Sequence, residues 1–158
     1  LAYDYFINKR LNKSMENSQK LREEANGVCA DLNSYLMSEF GCETPLAYIT
    51  GHRINNICAY TEDFDIYLAC RPVRRAGWDE NILVIARIGF KKQRVGNGTT
   101  FLRFLVRMSD KYGYERIVIE CATNEQIVGF AKKYGFECYE KEGDWIASVD
   151  DLKQLLEL

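Results

Sequence analysis

The stretch IGFKKQRVGNGTTFL, Ile88 to Leu102, joins a β-like apolar run to the start of a helix-like one and sets Gly96-Asn97-Gly98 at their junction. Glycine weakens regular structure around it, so two of them at the mouth of a helix need a reason. One reason is an anion. A helix N-terminus presents N–H groups without intrahelical partners and the positive end of the peptide dipole, and bare backbone lets a phosphate approach them. The other is a tight turn that demands positive φ angles. Arg87, Lys91, Lys92 and Arg94 crowd the same region and add positive potential, which suits the phosphate.

The spacing excludes two familiar phosphate sites. A P-loop wants GxxxxGK followed by Ser or Thr, which Gly96 and Gly98 do not supply. The dinucleotide fingerprint GxGxxG fails at its third glycine, where Phe101 stands.

Upstream, ILVIARIGF is apolar almost throughout at its start, as a strand covered on both faces is. PLAYIT, INNICAYT and FDIYLACR are short, β-branched or aromatic, and separated by turn formers, so they read as strands. Before Pro45 the chain is helical. From Ser14, Leu21, Ala25, Val28, Leu32, Tyr35, Leu36 and Phe40 recur at helical intervals, Gly41 is a stop, and Gly27 is a point where the helix can break in two. Residues 1–13 also read as helix. Downstream, GTTFLRFLVRMSDKYG carries Phe101, Leu102, Leu105, Val106 and Met108 in one stripe. RIVIECA is the next strand, NEQIVGFAKKYG a short helix closed by Gly135, FECYEKEGDWIASV a hairpin, and DDLKQLLEL a terminal helix. The strands flanking the glycine-rich helix are therefore expected as parallel neighbours joined by a right-handed crossover.

With 47% hydrophobic residues, two prolines and no Gly/Ser/Pro-rich linker, residues 1–158 form one domain, helical over 1–45 and sheet over 46–158. Lysine and arginine total 21 against 23 acids, a balance that argues against nucleic acid as a partner. The six cysteines include no CxxC pair and His52 is the only histidine, so no metal site is expected. Core thiols in a reducing cytoplasm are the expectation. No apolar run approaches the ~20 residues that cross a bilayer, and no signal peptide is expected. The stripe from Leu21 to Phe40 could join a second subunit in a homodimer unless the core consumes it.

QRVGNG, Gln93 to Gly98, matches Q/R-x-x-G-x-G/A, the acyl-coenzyme A signature of the GNAT superfamily of N-acetyltransferases. VIARIGFKKQRVGNGTTFLRFL resembles that family's central strand, pyrophosphate loop and following helix. IVIECATNEQIVGFAKKYGFE resembles its next strand and helix, with Asn124 and the closing Gly135-Phe136 at the usual separation. The resemblance spans residues 82–148, and the first 80 residues are only compatible with it.

The resemblance implies an α/β (α+β) fold: a central mixed, twisted sheet with two splayed parallel strands, flanking helices and an extended helical N-terminus. The gap between those strands admits the pantetheine arm of acetyl-coenzyme A. The backbone of Ala86, Arg87 and Ile88 would pair with that arm. After Gln93, the amides of Arg94, Val95, Gly96, Asn97, Gly98 and Thr99 would hold the pyrophosphate, although Val95 departs from the small or basic residue often seen there. Asn124 matches the family's side-chain contact to the cofactor, and Phe130 packs under the pantetheine or in the core. The implied activity is acetyl transfer to a primary amine of a protein or small molecule, by direct attack in a ternary complex. A donor polarises the oxyanion, a base takes the ammonium proton and an acid can protonate the thiolate.

Glu120 is the candidate base, one residue nearer Asn124 than usual; a solvated carboxylate at a strand end is the other reading. The family's tyrosine position falls on Ala131. Tyr134, three residues on, is the candidate acid or a packing residue. His52 is a base or ordinary surface. Arg71, Arg74 and Arg75 near Trp78 bind an acidic or nucleotide-bearing acceptor or form a solvated loop. Cys121, beside Glu120, reads as an inert thiol. The alternative function is a GNAT-like coenzyme A module with weak or no catalysis that binds a partner protein, which Ala131 and the long helical front end support.

Overall fold

The computed structural model of the chain describes residues 2–72, 81–139 and 143–158, with side chains from Ile7 onward. Helix α1 (Ala2–Phe40) comes first, then strands β1 (Tyr48–Ile49), β2 (Asn56–Tyr60), β3 (Phe64–Cys70) and β4 (Ile82–Phe90). Helix α2 (Asn97–Tyr112), β5 (Arg116–Ile119), α3 (Glu125–Lys133), β6 (Glu137–Cys138), β7 (Trp145–Ser148) and α4 (Val149–Leu156) complete it. The seven strands form one sheet in the order β1-β2-β3-β4-β5-β7-β6. Among the described residues only β4 and β5 pair in parallel; every other neighbour is antiparallel. This is the mixed sheet with flanking helices and a helical N-terminus that the resemblance implies.

Helix α1 runs through Gly27 without a break. The glycine has a contact role instead: a Cβ there would stand 2.5 Å from the Tyr112 hydroxyl, which donates to Asp31 Oδ2 at 2.8 Å. Ala25, Val28, Leu32 and Leu36 are buried, so the core takes the inner members of the apolar stripe. Residues 7–20 are exposed throughout. Gly41 ends the helix at φ 66, its N–H donating to the Met37 carbonyl.

One face of the sheet holds the main core, where Leu32 and Leu36 of α1, Phe101 and Leu105 of α2 and Leu152 of α4 meet Ile66, Leu83, Ile85 and Ile117. The opposite face buries Ala69, Ile82, Val84 and Val118 against Tyr139 and Ile146. The start of β4 is thus covered on both sides, as its unbroken apolar run predicts.

Arg71 is no loop charge. It adopts φ 43, its Nε lies 2.9 Å from Glu24 Oε2, and its remaining guanidinium nitrogens donate to Asn81 Oδ1 and the Tyr112 carbonyl. It ties α1 to the end of β3 and the end of α2. Arg74, Arg75 and Trp78 lie outside the described residues.

Candidate functional site

The two parallel strands share four rungs, Ile82↔Arg116 through Ile85↔Ile119. The Glu120 N–H adds one last bond to the Ile85 carbonyl at 3.0 Å. There they part. Strand β4 continues to Phe90 on the β3 side alone, with Tyr67 opposite Arg87 and Leu68 opposite Ile85, so that Ala86 is a bulge residue. A bulge adds twist and bends its strand, and this one sits where β4 loses β5.

The turn after β4 is bare for two distinct physical reasons. Gly96 caps α2 at φ 91, ψ 0, a conformation that strains any side chain, and it offers no side-chain cap to the helix's first amides. Gly98 is tight against another element: a Cβ there would meet Phe130 Cε2 at 3.0 Å. Arg94 also takes a positive φ, 59°. Two side chains brace the loop from within, Gln93 Nε2 donating to the Phe90 carbonyl at 2.8 Å and Asn97 Nδ2 to the Lys92 carbonyl at 3.3 Å.

Between this turn, the end of β4 and α3 lies a cleft of about 830 Å³. Of the residues expected at a cofactor, Ile88, Gln93, Arg94, Gly96, Asn97, Gly98, Thr99, Asn124 and Phe130 line it. Ala86, Arg87 and Val95 are not part of that lining. The Arg87 side chain is paired with Asp65, Nε to Oδ2 2.7 Å, and lies over the Tyr67 ring. Val95 is 63% exposed. Asn124 caps α3, its Oδ1 accepting from the Ile127 N–H at 2.8 Å. Lys92, Arg94 and Lys133 line the cleft against one acid, Glu125, and this excess of positive charge suits an anion.

Lys92, expected to add positive potential at the turn, lines the cleft, whereas Gly89, Phe90 and, on α3, Glu125, Gln126, Ile127, Gly129 and Lys133 were not expected there. Gln126, Phe130 and Lys133 follow i, i+4, i+7 spacing, a signal that would have placed them on one helix face.

The two candidate catalytic residues sit apart from that lining. Glu120 is half-buried, one residue beyond the last β4–β5 rung. Tyr134 is buried; its ring packs on Phe130 with centroids 4.8 Å apart and its hydroxyl shares a hydrogen bond with Thr99 Oγ1. Ala131, where the resemblance implies a tyrosine, is fully buried. His52 is exposed in the turn between β1 and β2, and Cys121 is exposed beside Glu120. Among the described residues no group of His, Cys, Asp and Glu could hold a metal ion, and no helix is long and apolar enough to cross a membrane.

No family model and no curated protein matches the chain. Solved structures similar to it include a tyrosine-to-phenylalanine mutant of the toxin AtaT bound to the C-terminus of the antitoxin AtaR and acetyl-CoA, at 20% identity over 65% of this chain and 71% of that one, TM-score 0.48. The PaiA N-acetyltransferase of Thermoplasma acidophilum in complex with coenzyme A is similar at 18% identity over 58% and 57%, TM-score 0.42. AtaT complexed with acetyl-methionyl-tRNA is similar at 19% identity over 69% and 74%, TM-score 0.46. That complex contains nucleic acid, so the expectation against nucleic acid gains no support from it.

Proposed function

We propose that this chain is an acyl-coenzyme A N-acyltransferase of the GNAT type, moving acetyl from acetyl-coenzyme A to a primary amine within a ternary complex. The observation that carries the reading is the parting of β4 and β5 after Ile85, beside a cleft that opens onto the bare N-terminus of α2. The exposed edge of β4 from Ala86 to Ile88 would pair with the amide-bearing pantetheine arm as an added strand does. The first amides of α2, with Lys92, Arg94 and Lys133, would hold the diphosphate.

Chemistry then needs little. Holding thioester and amine in line supplies much of the rate. We assign the base to Glu120, directly or through water, because it stands where the strands diverge. Tyr134 can act as the acid when its hydroxyl accepts from Thr99 Oγ1 and keeps its own proton for the thiolate.

The test is binding followed by turnover. Saturating acetyl-coenzyme A should stabilise the fold by about 2–4 kcal/mol in a thermal melt. Thiol release with a panel of amines then reports transfer, and a chain that gains no stability from the coenzyme ends the proposal.

A second reading has its own observation. With Ala131 buried and the Tyr134 hydroxyl engaged by Thr99, the site lacks an unengaged tyrosine hydroxyl at the family's position, and residues 7–20 of α1 are exposed. A coenzyme-holding module that grips a partner protein through α1 fits those facts. Coenzyme binding without thiol release on any amine would favour it.

A further inference from the structure

Strand β5 leaves β4 abruptly, and the groups that turn it away belong to the β6–β7 hairpin on its other side. In a regular strand successive N–H groups point alternately to the two neighbours. The Glu120 N–H points to β4, donating to Ile85, and the Cys121 N–H points to the β7 side, so the Ala122 N–H would return to β4. It does not. Cys121 adopts φ 51, and the Ala122 N–H donates instead to the Gly143 carbonyl at 2.6 Å.

A left-handed residue other than glycine is disfavoured and needs support. Here the support is a side chain: Asp144 Oδ1 accepts from the Cys121 N–H at 2.9 Å. Asp144 is 2% exposed, and its own carbonyl accepts from the Tyr139 N–H at 2.8 Å, which fixes the carboxylate within the hairpin. Gly143, at φ 93, lies close enough that a Cβ would meet Cys121 Cα at 3.6 Å.

We propose that Asp144 is a positioning residue for the coenzyme site: by holding Cys121 in the left-handed turn it keeps β5 from zipping onto Ala86–Ile88 and leaves that edge of β4 open to the pantetheine arm. This rests on the coenzyme reading above. Asp144 touches neither coenzyme nor amine and acts through the course of the strand.

The experiment is calorimetric titration of the full chain with coenzyme A, well below the melting temperature, in Asp144→Asn, Asp144→Ala and the double variant Asp144→Ala/Cys121→Gly. Asparagine keeps the Oδ1 acceptor and should bind within about threefold of the native chain, whereas alanine should weaken binding about tenfold or more, the loss of one well-placed charge-assisted bond. Glycine holds a left-handed turn unaided, so the double variant should recover most of the affinity. Should Asp144→Ala not fold, Gly143→Ala, which strains the same turn through its φ of 93, should show the same weakening. An Asp144→Ala protein that melts earlier yet binds coenzyme A as the native chain does would reduce the carboxylate to a stabiliser of the hairpin and overturn the inference, as would an Asp144→Asn protein as weak as alanine. A native chain that binds no coenzyme A defeats the coenzyme reading itself, a result distinguishable from either.

Discussion

The edge of the Phe130 ring occupies the place where a side chain on residue 98 would begin, with Cε2 at 3.0 Å from a Cβ built on Gly98. The first turn of α2 and the inner face of α3 therefore meet through a missing side chain, and the cleft lies beside that contact. Phe130 is half-buried and lines the cleft, so a ring displaced by that Cβ shifts the cleft wall. Alanine favours a helix over glycine by up to about 1 kcal/mol, which offsets the crowding. Gly98→Ala should therefore leave stability within about 1 kcal/mol of native in urea melts while coenzyme A affinity falls several-fold. Adding Phe130→Leu should restore affinity; unchanged binding in Gly98→Ala alone would break the link between contact and cleft.

Gly96 makes the opposite prediction, because nothing lies within 4 Å of a Cβ there and the constraint is its φ of 91. Gly96→Ala should cost about 1–2 kcal/mol from backbone strain alone. Gly96→Asn should cost less, since asparagine tolerates the left-handed region better. Gly96→Glu sets a carboxylate at the proposed diphosphate site and should abolish the thermal shift with acetyl-coenzyme A even where the protein remains folded.

Much of this architecture was legible because its signals are local. Alternation marked β3, the apolar run marked the doubly covered β4, and glycines at 41 and 135 marked ends that adopt positive φ. What escaped depends on partners far along the chain. RIVIECA reads as strand through Ala122, but β5 stops at Ile119 because Asp144, 23 residues beyond Cys121, holds the turn. Gly27 reads as a break until Tyr112 is beside it, and Arg71 as a solvated charge until Glu24, 47 residues earlier, is. Within the cleft, Ile88 and most of the loop from Gln93 to Thr99 were readable from the signature, whereas most of the α3 wall was not, because helical spacing alone names a face without naming what it faces.

Gly27→Ala should destabilise the protein although alanine is the better helix former. Its Cβ would stand 2.5 Å from the Tyr112 hydroxyl and displace it from Asp31. A net loss of about 1–3 kcal/mol in urea unfolding is expected from the overpacking. Tyr112→Phe removes the colliding oxygen, so the double variant should fall short of the sum of the singles by about 1 kcal/mol. Strict additivity would mean that the helices separate freely at this contact.

The Cys70 thiol is buried, and burial pushes it up to about 12 from its ordinary value of 9.0. A raised folded-state value means the neutral thiol is favoured in the fold, so stability is intact below pH 9 and is lost as pH rises toward 12, where the unfolded chain ionises first. Between pH 8 and pH 10.5 the stability advantage of the native chain over Cys70→Ala should shrink by roughly 2 kcal/mol in urea melts. A difference independent of pH would show that the thiol ionises in the fold as readily as outside it.

Tyr134 decides whether the leaving thiolate has a protein acid. Its hydroxyl is shared with Thr99 Oγ1 at the first turn of α2, and its ring is packed on Phe130. A hydroxyl committed in this way stabilises the junction of α2 and α3, so Tyr134→Phe should lower stability by about 1 kcal/mol, the net value of one hydrogen bond. Turnover should change little, with kcat within about threefold, because a thiolate can take its proton from water, whereas loss of a general acid costs about 10²–10⁴. Thr99→Val removes the hydroxyl's partner without touching the phenol. If Tyr134 is structural, the two variants should have matching stability and matching kcat; if kcat falls a hundredfold in Tyr134→Phe and not in Thr99→Val, the phenol is the acid.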